Sequence, residues 1–466
     1  GRSPSDMDVA SQICAFSPSV VIRRELLAAL NRGREKLRFL ILYAAMHDTL
    51  SQWLDYIAAI HVSSIDLGLT RIEKVKARLF STKPTCPVIT IGGTNGKGSV
   101  IHLLESVYLQ AGYRVGCYTS PHLESFTERL RLGGLELPEH AWIDAFAKVE
   151  QARGEVSLSF FEYTTLAAML LMQESTLDVW LMEVGLGGRL DAVNCIDPDL
   201  AVITSIDLDH QQWLGNDRES IGFEKAGIMR FGKPAICADY DPPCALEAVA
   251  AQKQVRLQCL NRDFFLDEND TTCSWQSGHI RLALPKSPLK GSNVAAAVAA
   301  VQEMQAFLPV TPQVLSRGVA LTHVPGRFEH RQLPYDCVLD VAHNPAAVRW
   351  LATQIQKRFS GQKVHAVVGM LADKDIRQCL QNLDVPLHSW YFSDLNVTRG
   401  AKAQQLQAVV DSAAITSCYS SVADALNAAK EQVQADPGSM LVAFGSFYTV
   451  AGARHWCQQQ TRWLTT

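Results

Sequence analysis

Neither sign of charge dominates this 466-residue chain: 43 Lys and Arg against 47 Asp and Glu leave a net charge of −4. The basic excess that holds nucleic acid or an anionic membrane is missing. Its 12 cysteines include no C-x-x-C pair. Several, such as Cys117 and Cys337, sit inside strand-like apolar runs, which argues against a zinc site or a disulfide framework and for a reducing compartment. No apolar run approaches the length that spans a bilayer. The cytoplasm is the expected location. What remains is ordinary globular composition, 47% hydrophobic and 19% charged, in a chain longer than one core supports. Two domains plus an extension are expected.

Residues 1–45 stand apart. They begin GRSPSD without a methionine and read as a remnant of cloning or of upstream sequence. Val20 to Tyr43 has the pattern of a basic helix, and its few acids would also suit a transit peptide. The functional chain is expected to start near Met46.

The richest stretch is Pro87 to Ser99, PVITIGGTNGKGS. A β-branched strand runs into a glycine-rich loop, and Val100, Leu103, Leu104, Val107 and Ala111 then recur at helical spacing until Gly112. Strand, loop and helix in that order make a phosphate cradle. Backbone N–H groups turn inward, the helix N-terminus adds positive potential, Lys97 reaches terminal phosphates and Ser99 is a candidate Mg²⁺ ligand. Gly98 separates the lysine from the hydroxyl, an uncommon spacing.

Other strand tips gather polar groups. Tyr113–Tyr118 delivers Thr119 to Leu123 to a loop that suits substrate, followed by Glu128, Arg129 and Arg131. Upstream, His61–Ile72 interrupts a helical pattern, where Ser64 or Asp66 would be either caps or site residues. Trp142–Val149 and Phe160–Gln173 read as helices. The strand at 178–184 ends in Glu183, well placed for Mg²⁺. Leu200–Ile206 leads to Asp207, Asp209 and His210, and Phe223–Arg230 opens with Glu224 and Lys225. Residues 253–290 alternate like small antiparallel strands at a sheet edge, and Ser292–Asn293 is expected to cap an alanine-rich helix to Phe307. Pro325-Gly326-Arg327, within Thr322–Phe328, suits a hinge. Beyond it, βα alternation restarts, with strands expected at 336–341, 364–370, 390–392 and 440–444 and helices between them. Asp340 and His343 follow the first of these strands, Asn344-Pro345 reads as a helix cap, and Gly445-Ser446-Phe447 follows the last.

Taken together, TNGKGS, TSPHL, FFEYTT, EVGLGGRLDAVN, EKAGI, PGRFE, LDVAHNP and FGSF resemble the folylpolyglutamate synthase family of Mur ligase-like amide ligases. The resemblance runs from Met46 to the end. It implies an α/β architecture: a P-loop-containing central domain with a parallel sheet (46–324) and a smaller Rossmann-like C-terminal glutamate ligase domain (325–466). By resemblance, Thr94, Asn95, Gly96, Lys97, Gly98 and Ser99 bind ATP phosphates, with Asn293, Arg327 and Asp340 also on the nucleotide. Ser99, Glu183 and His210 would hold Mg²⁺, with one or two ions bound. Lys97, Lys225, His210 and His343 would serve catalysis, with Lys225 carbamylated to N6-carboxylysine. Asp66, Leu67, Gly68, Leu69, Ser120, Pro121, His122 and Phe161 would line the pterin pocket, and Ser446 the glutamate site. KGSN departs from relatives that carry a glutamine before the asparagine, which weakens the adenine assignment there.

The implied activity is addition of L-glutamate to dihydropteroate and to reduced folates, by a monomer with no nucleic-acid or membrane partner. The alternatives are a polyglutamate synthase alone, a cell-wall Mur-type ligase, or a nucleotide switch. IDLGL and SPHL favour folate over the cell-wall substrate. A switch would need neither this loop spacing nor a second domain with charged strand tips.

Overall fold

The computed structural model describes residues 47–61, 63, 65–269, 272–410 and 414–462. The expectations for residues 1–45, Met46 and Ser64 lie outside these. Eight strands form the first sheet: β1 (Val88–Gly92), β2 (Val115–Tyr118), β3 (Leu130–Leu132), β4 (Leu135–Glu136), β5 (Val179–Glu183), β6 (Leu200–Ile203), β7 (Pro234–Cys237) and β8 (Arg256–Cys259). Their order is β4-β3-β2-β5-β1-β6-β7-β8. The strands from β2 to β8 run parallel, and β3 and β4 close one edge antiparallel.

A sheet covered on both faces needs apolar strands throughout, and β1 and β5 are buried at every position. Side chains still alternate. Ile89 and Ile91 pack under helix Lys97–Gln110 and helix Gly291–Glu303. Val88, Trp180 and Met182 pack against helix Phe160–Gln173 and a cluster with Trp53, Ile72 and Trp142. Each such fully buried side chain contributes roughly 1.5–3 kcal/mol. Helix Phe160–Gln173 is buried almost all round, which explains its weak amphipathic pattern. Ser159 caps it, with Glu162 closing the capping box.

Residues 253–290 differ from expectation. β8 extends the main sheet, while β9 (Phe265–Glu268), β10 (Cys273–Ser277) and β11 (Ile280–Leu284) form a separate antiparallel sheet. Its inward residues Trp275, Leu282 and Leu284 need a cover, which the alanine-rich helix provides; the Trp275 indole N–H donates to the Ala295 carbonyl at 3.2 Å. That helix runs Gly291–Glu303, with Lys290 rather than Ser292–Asn293 at its N-cap, and ends before the exposed Phe307. Lys225 likewise closes helix Arg218–Ala226 instead of opening one.

The second large sheet has the order β12-β13-β17-β14-β15-β16. β13 (Asp336–Asp340), β14 (Lys363–Val368), β15 (Leu387–Ser393), β16 (Ile415–Tyr419) and β17 (Ser439–Phe444) run parallel. β12 (Glu329–Gln332) pairs antiparallel at the edge. Asn344 caps helix Pro345–Arg358 through the Ala347 N–H at 3.0 Å, with proline in the first turn. Helix Phe447–Arg462 follows β17. Among the described residues no helix is long and apolar enough to cross a membrane. The C-terminal tips of the two large sheets open onto one cavity between the domains, the position where α/β sheets bind ligands.

Candidate active site

The phosphate loop is pinned from below. Thr94 N–H donates to the Ser205 carbonyl at 2.7 Å and Asn95 N–H to Ser205 Oγ at 3.1 Å, while Thr204 Oγ1 donates to the Asn95 carbonyl at 2.7 Å. Gly93 and Gly96 take φ of +140° and +93°. A Cβ on Gly93 would fall 1.9 Å from Thr204 Oγ1, and one on Gly96 would fall 2.3 Å from Asn293 Oδ1. Only glycine fits either place. Gly96 is the N-cap of helix Lys97–Gln110 and supplies no side-chain cap, so first-turn N–H groups stay open to an anion. Lys97 Nζ folds back to the Gly93 carbonyl at 3.0 Å.

Around this loop, ionisable groups are buried. Glu183 pairs with Ile91 across β1 and β5 and accepts the Ser120 N–H at 3.0 Å. Burial pushes its carboxyl up, against the pull of Lys97 and that N–H. Burial pushes Lys97 down. Lys225, only 3% exposed, is lowered to about 7 by burial, with Lys97 adding repulsion. Asp191 is raised to about 6 by burial, opposed by N–H bonds from Leu186 and Val193 at 2.8 and 3.0 Å. His210 sits at φ +52° and is lowered to about 4 by burial, so it is neutral and able to offer a lone pair.

The second domain meets these groups directly. Lys374 Nζ bonds Asp209 Oδ1 at 2.8 Å, and His343 Nε2 lies 3.8 Å from Asp209 Oδ2. Burial alone would raise Asp209, but His210, Lys374 and His343 outweigh it and hold it below the usual range. His343 Nδ1 bonds the Val341 carbonyl at 2.8 Å, and burial lowers the ring to about 4. Asn95 and Asn344 exchange amide bonds at 3.2 and 2.8 Å. The side chain of Asn95 thus faces the other domain. Asp340 accepts the Phe328 and Ala342 N–H groups at 2.7 and 2.8 Å, shaping the turn that carries Arg327.

On the remaining side, Asp66 bonds His61 at 3.0 Å and Arg71 at 2.8 Å, and Gly68 N–H donates to the Leu190 carbonyl at 3.1 Å. The Ser120–Pro121 peptide is cis. His122 Nδ1 accepts from Arg129 Nε at 3.0 Å. The Phe161 ring lies so close to Gly185 that a Cβ there would sit 2.5 Å from it. Ser446 Oγ receives the Thr449 N–H at 3.0 Å.

The cavity encloses about 460 Å³. Its walls carry Asp66, Leu67, Gly68, Thr94 to Gly98, Ser120 to His122, Phe161, Glu183, His210, Lys225, Arg327, His343 and Ser446. Leu69, Ser99, Asn293 and Asp340 do not line it. Ser99 is buried in the helix, and the serine beside Glu183 is Ser120. The walls also hold Arg129, Glu162, Asp191, Asp209, Lys374, Arg399 and Tyr448, to which sequence reasoning assigned no specific role, although Arg129 and Asp209 stood beside expected site loops. Lys374 follows a strand tip, the signal that points to Asp209 and could have found it too. The burial of Arg129 and Glu162 has no sequence signature. Among the described residues, no group of three or more His, Cys, Asp or Glu side chains converges as a metal cluster.

Two family descriptions match in sequence order: the Mur ligase middle domain over residues 91–300 and the Mur ligase glutamate ligase domain over 326–447. The dihydrofolate synthase/folylpolyglutamate synthase of Escherichia coli (strain K12) is 43% identical over 403 residues, 86% of this chain and 94% of that protein. E. coli FolC solved with DHPP and ADP superposes with a TM-score of 0.84 at 41% identity, covering 89% of this chain and 98% of that one. A bifunctional folylpolyglutamate synthase/dihydrofolate synthase solved with Mn, AMPPNP and L-glutamate gives 0.79 at 40% identity, covering 87% and 97%. With the phosphate loop, the buried acid–base groups and the two-domain cavity already in place, this chain belongs to the dihydrofolate synthase/folylpolyglutamate synthase family of Mur ligases.

Proposed function

We propose that this chain is an ATP-dependent ligase that adds L-glutamate to dihydropteroate and to the γ-carboxylate of reduced folates. The observation that carries this reading is the shared cavity: phosphate loop, aromatic pocket and second-domain strand tips line one volume. A carboxylate is a poor acyl donor, so phosphorylation by ATP must precede attack by the glutamate amine. Lys97 and the open N–H groups of its helix receive the phosphates, and Arg327 adds charge from the interdomain turn. The groups present fit a hard cation: the buried Glu183 carboxylate, Ser120, whose backbone N–H it accepts, and neutral His210. When bound, Mg²⁺ supplies neutralisation of phosphate charge. Ser99, inside the helix, supports the loop in this reading.

Lys225 fits carbamylation. Its ammonium is destabilised by burial, and the free amine is the form that adds CO₂, losing one proton to give an anionic carboxylate. Neutral His343 is placed near the second domain's contribution to the site, where it can accept a proton from the incoming amine. Glutamate is assigned to the Ser446 end of the cavity. Closure of both domains over Asp209 and Asn95 excludes water from the activated acyl group. The enzyme is proposed to act in the cytoplasm as a monomer.

Phosphate release tests the reading. With ATP, Mg²⁺ and L-glutamate present, dihydropteroate and tetrahydrofolate should each trigger release and form the expected amide, whereas a nucleotide-sugar peptide should not. Release with tetrahydrofolate but never with dihydropteroate would leave a polyglutamate synthase.

A further inference from the structure

Arg129 ends the short 3₁₀ turn Phe126–Arg129, and its carbonyl accepts the Thr119 N–H at 2.8 Å. The side chain is therefore aimed by backbone held on both sides. Its guanidinium lies over the Phe126 and Phe160 rings, 5.4 and 5.6 Å from their centroids. Nε donates to His122 Nδ1 at 3.0 Å. The residue is 8% exposed and lines the cavity. No carboxylate among the described residues lies within ion-pair distance of it.

Two residues on, Arg131 shows the usual solution for a buried cation: a 2.8 Å pair with the buried carboxylate of Glu105. Cavity-lining Lys374 and Arg399 hold Asp209 and Asp373. An arginine stays charged even when buried, and a buried charge without a counter-ion is costly. Arg129 faces the cavity without an ion-pair partner; the Tyr118 hydroxyl and, at longer range, Glu183 are what favour its charge. An anion arriving in the cavity would supply that partner.

We infer that Arg129 receives the non-reacting α-carboxylate of the folate acceptor and so sets the preference between the two acceptors. This rests on the two-acceptor reading above. Dihydropteroate ends in one carboxylate, which is the group phosphorylated on the Lys97 side. A folate acceptor brings a second carboxylate that keeps its charge throughout the reaction and is desolvated when the cavity closes. It needs a cation that phosphate handling does not use. Arg129, flanked by the Phe126 and Phe160 rings and carrying no assignment in phosphate handling, is such a cation. A carboxamide in place of the α-carboxylate would remove the charge while keeping the shape.

The experiment compares kcat/KM for tetrahydrofolate, its α-carboxamide analogue and dihydropteroate in wild type, Arg129→Gln and Arg129→Lys. The expected result is an about 30-fold or larger fall in the tetrahydrofolate-to-dihydropteroate ratio in Arg129→Gln, carried by KM, with partial recovery in Arg129→Lys. Wild type should discriminate against the carboxamide by a similar factor, and Arg129→Gln should not. A ratio unchanged within about threefold, or carboxamide discrimination that survives in Arg129→Gln, overturns the assignment. Should Arg129→Gln fail to fold, the wild-type carboxamide comparison decides alone: equal use of acid and amide overturns it. Wild type that ligates neither acceptor overturns the two-acceptor reading itself, and this inference with it.

Discussion

The two walls of the cavity solve opposite problems. On the first domain's side, Lys97, Lys225 and Glu183 are buried charges held in poor solvation, and their proton affinities are displaced accordingly. On the second domain's side, polar groups hold fixed partners: His343 bonds the Val341 carbonyl, Ser446 accepts the Thr449 N–H, and Lys374 pairs with Asp209. A wall of poorly solvated charge is suited to substrates that bring phosphate and carboxylate. A wall of groups with fixed partners is suited to holding geometry. Removing a first-wall charge should therefore stop chemistry, whereas loosening the second wall should change how often the site assembles.

The largest effect is expected for Lys97→Ala, which should lower kcat/KM for both acceptors by about 10³-fold or more. Its thermal unfolding should stay close to wild type, since the side chain makes one hydrogen bond, to the Gly93 carbonyl, and removing it relieves a buried charge. Near-normal turnover would refute the phosphate assignment. Lys225→Ala should lose about 10²-fold and regain part of it with short carboxylates such as acetate or formate. In wild type stripped of CO₂ at low pH, recovery in bicarbonate should speed up as pH rises through about 7, because the free amine accumulates above that point. Absence of a carbamate signal by ¹³C NMR would count against the modification.

From the second wall, Lys374→Ala breaks the 2.8 Å pair with Asp209 and leaves that carboxylate without its ammonium partner. A fall of about tenfold in kcat is expected, with domain closure weakened in small-angle scattering of the ATP complex. Unchanged scattering and unchanged kcat would make the pair incidental. The smallest effect is expected from Asp66→Ala, which releases His61 and Arg71. It should raise KM for dihydropteroate by about three- to tenfold and for tetrahydrofolate less. The reverse order would misplace the pterin.

Much of the first wall was legible in the sequence because its chemistry sits in contiguous runs. TNGKGS announces the loop, and an apolar strand ending in Glu183 announces a buried acid. The strands β1, β5 and β6 were readable for the same reason, being apolar on both faces. β12, with the polar run EHRQ, and the edge strand β16 carried no such pattern, because edge strands bury little. Helix starts near residues 218 and 291 were misread where the caps lacked an obvious signal or lay further upstream. The bond of the Asn95 amide to Asn344, 249 residues away, had no counterpart in the sequence, because it depends on how the two domains meet. The lack of an ion-pair partner at Arg129 was invisible for a related reason: it depends on which carboxylates are absent around a folded side chain.

The most direct test of phosphate-activated ligation in this cavity uses an acceptor labelled with ¹⁸O in its reacting carboxylate. Dihydropteroate or tetrahydrofolate so labelled is incubated with the enzyme, ATP, Mg²⁺ and L-glutamate, and the released phosphate is weighed by mass spectrometry. The carboxylate oxygen that attacks the γ-phosphorus stays on that phosphorus when the amine displaces it. One ¹⁸O per phosphate, adjusted for labelling, is the expected result for both acceptors. Unlabelled phosphate accompanying amide formation would contradict it.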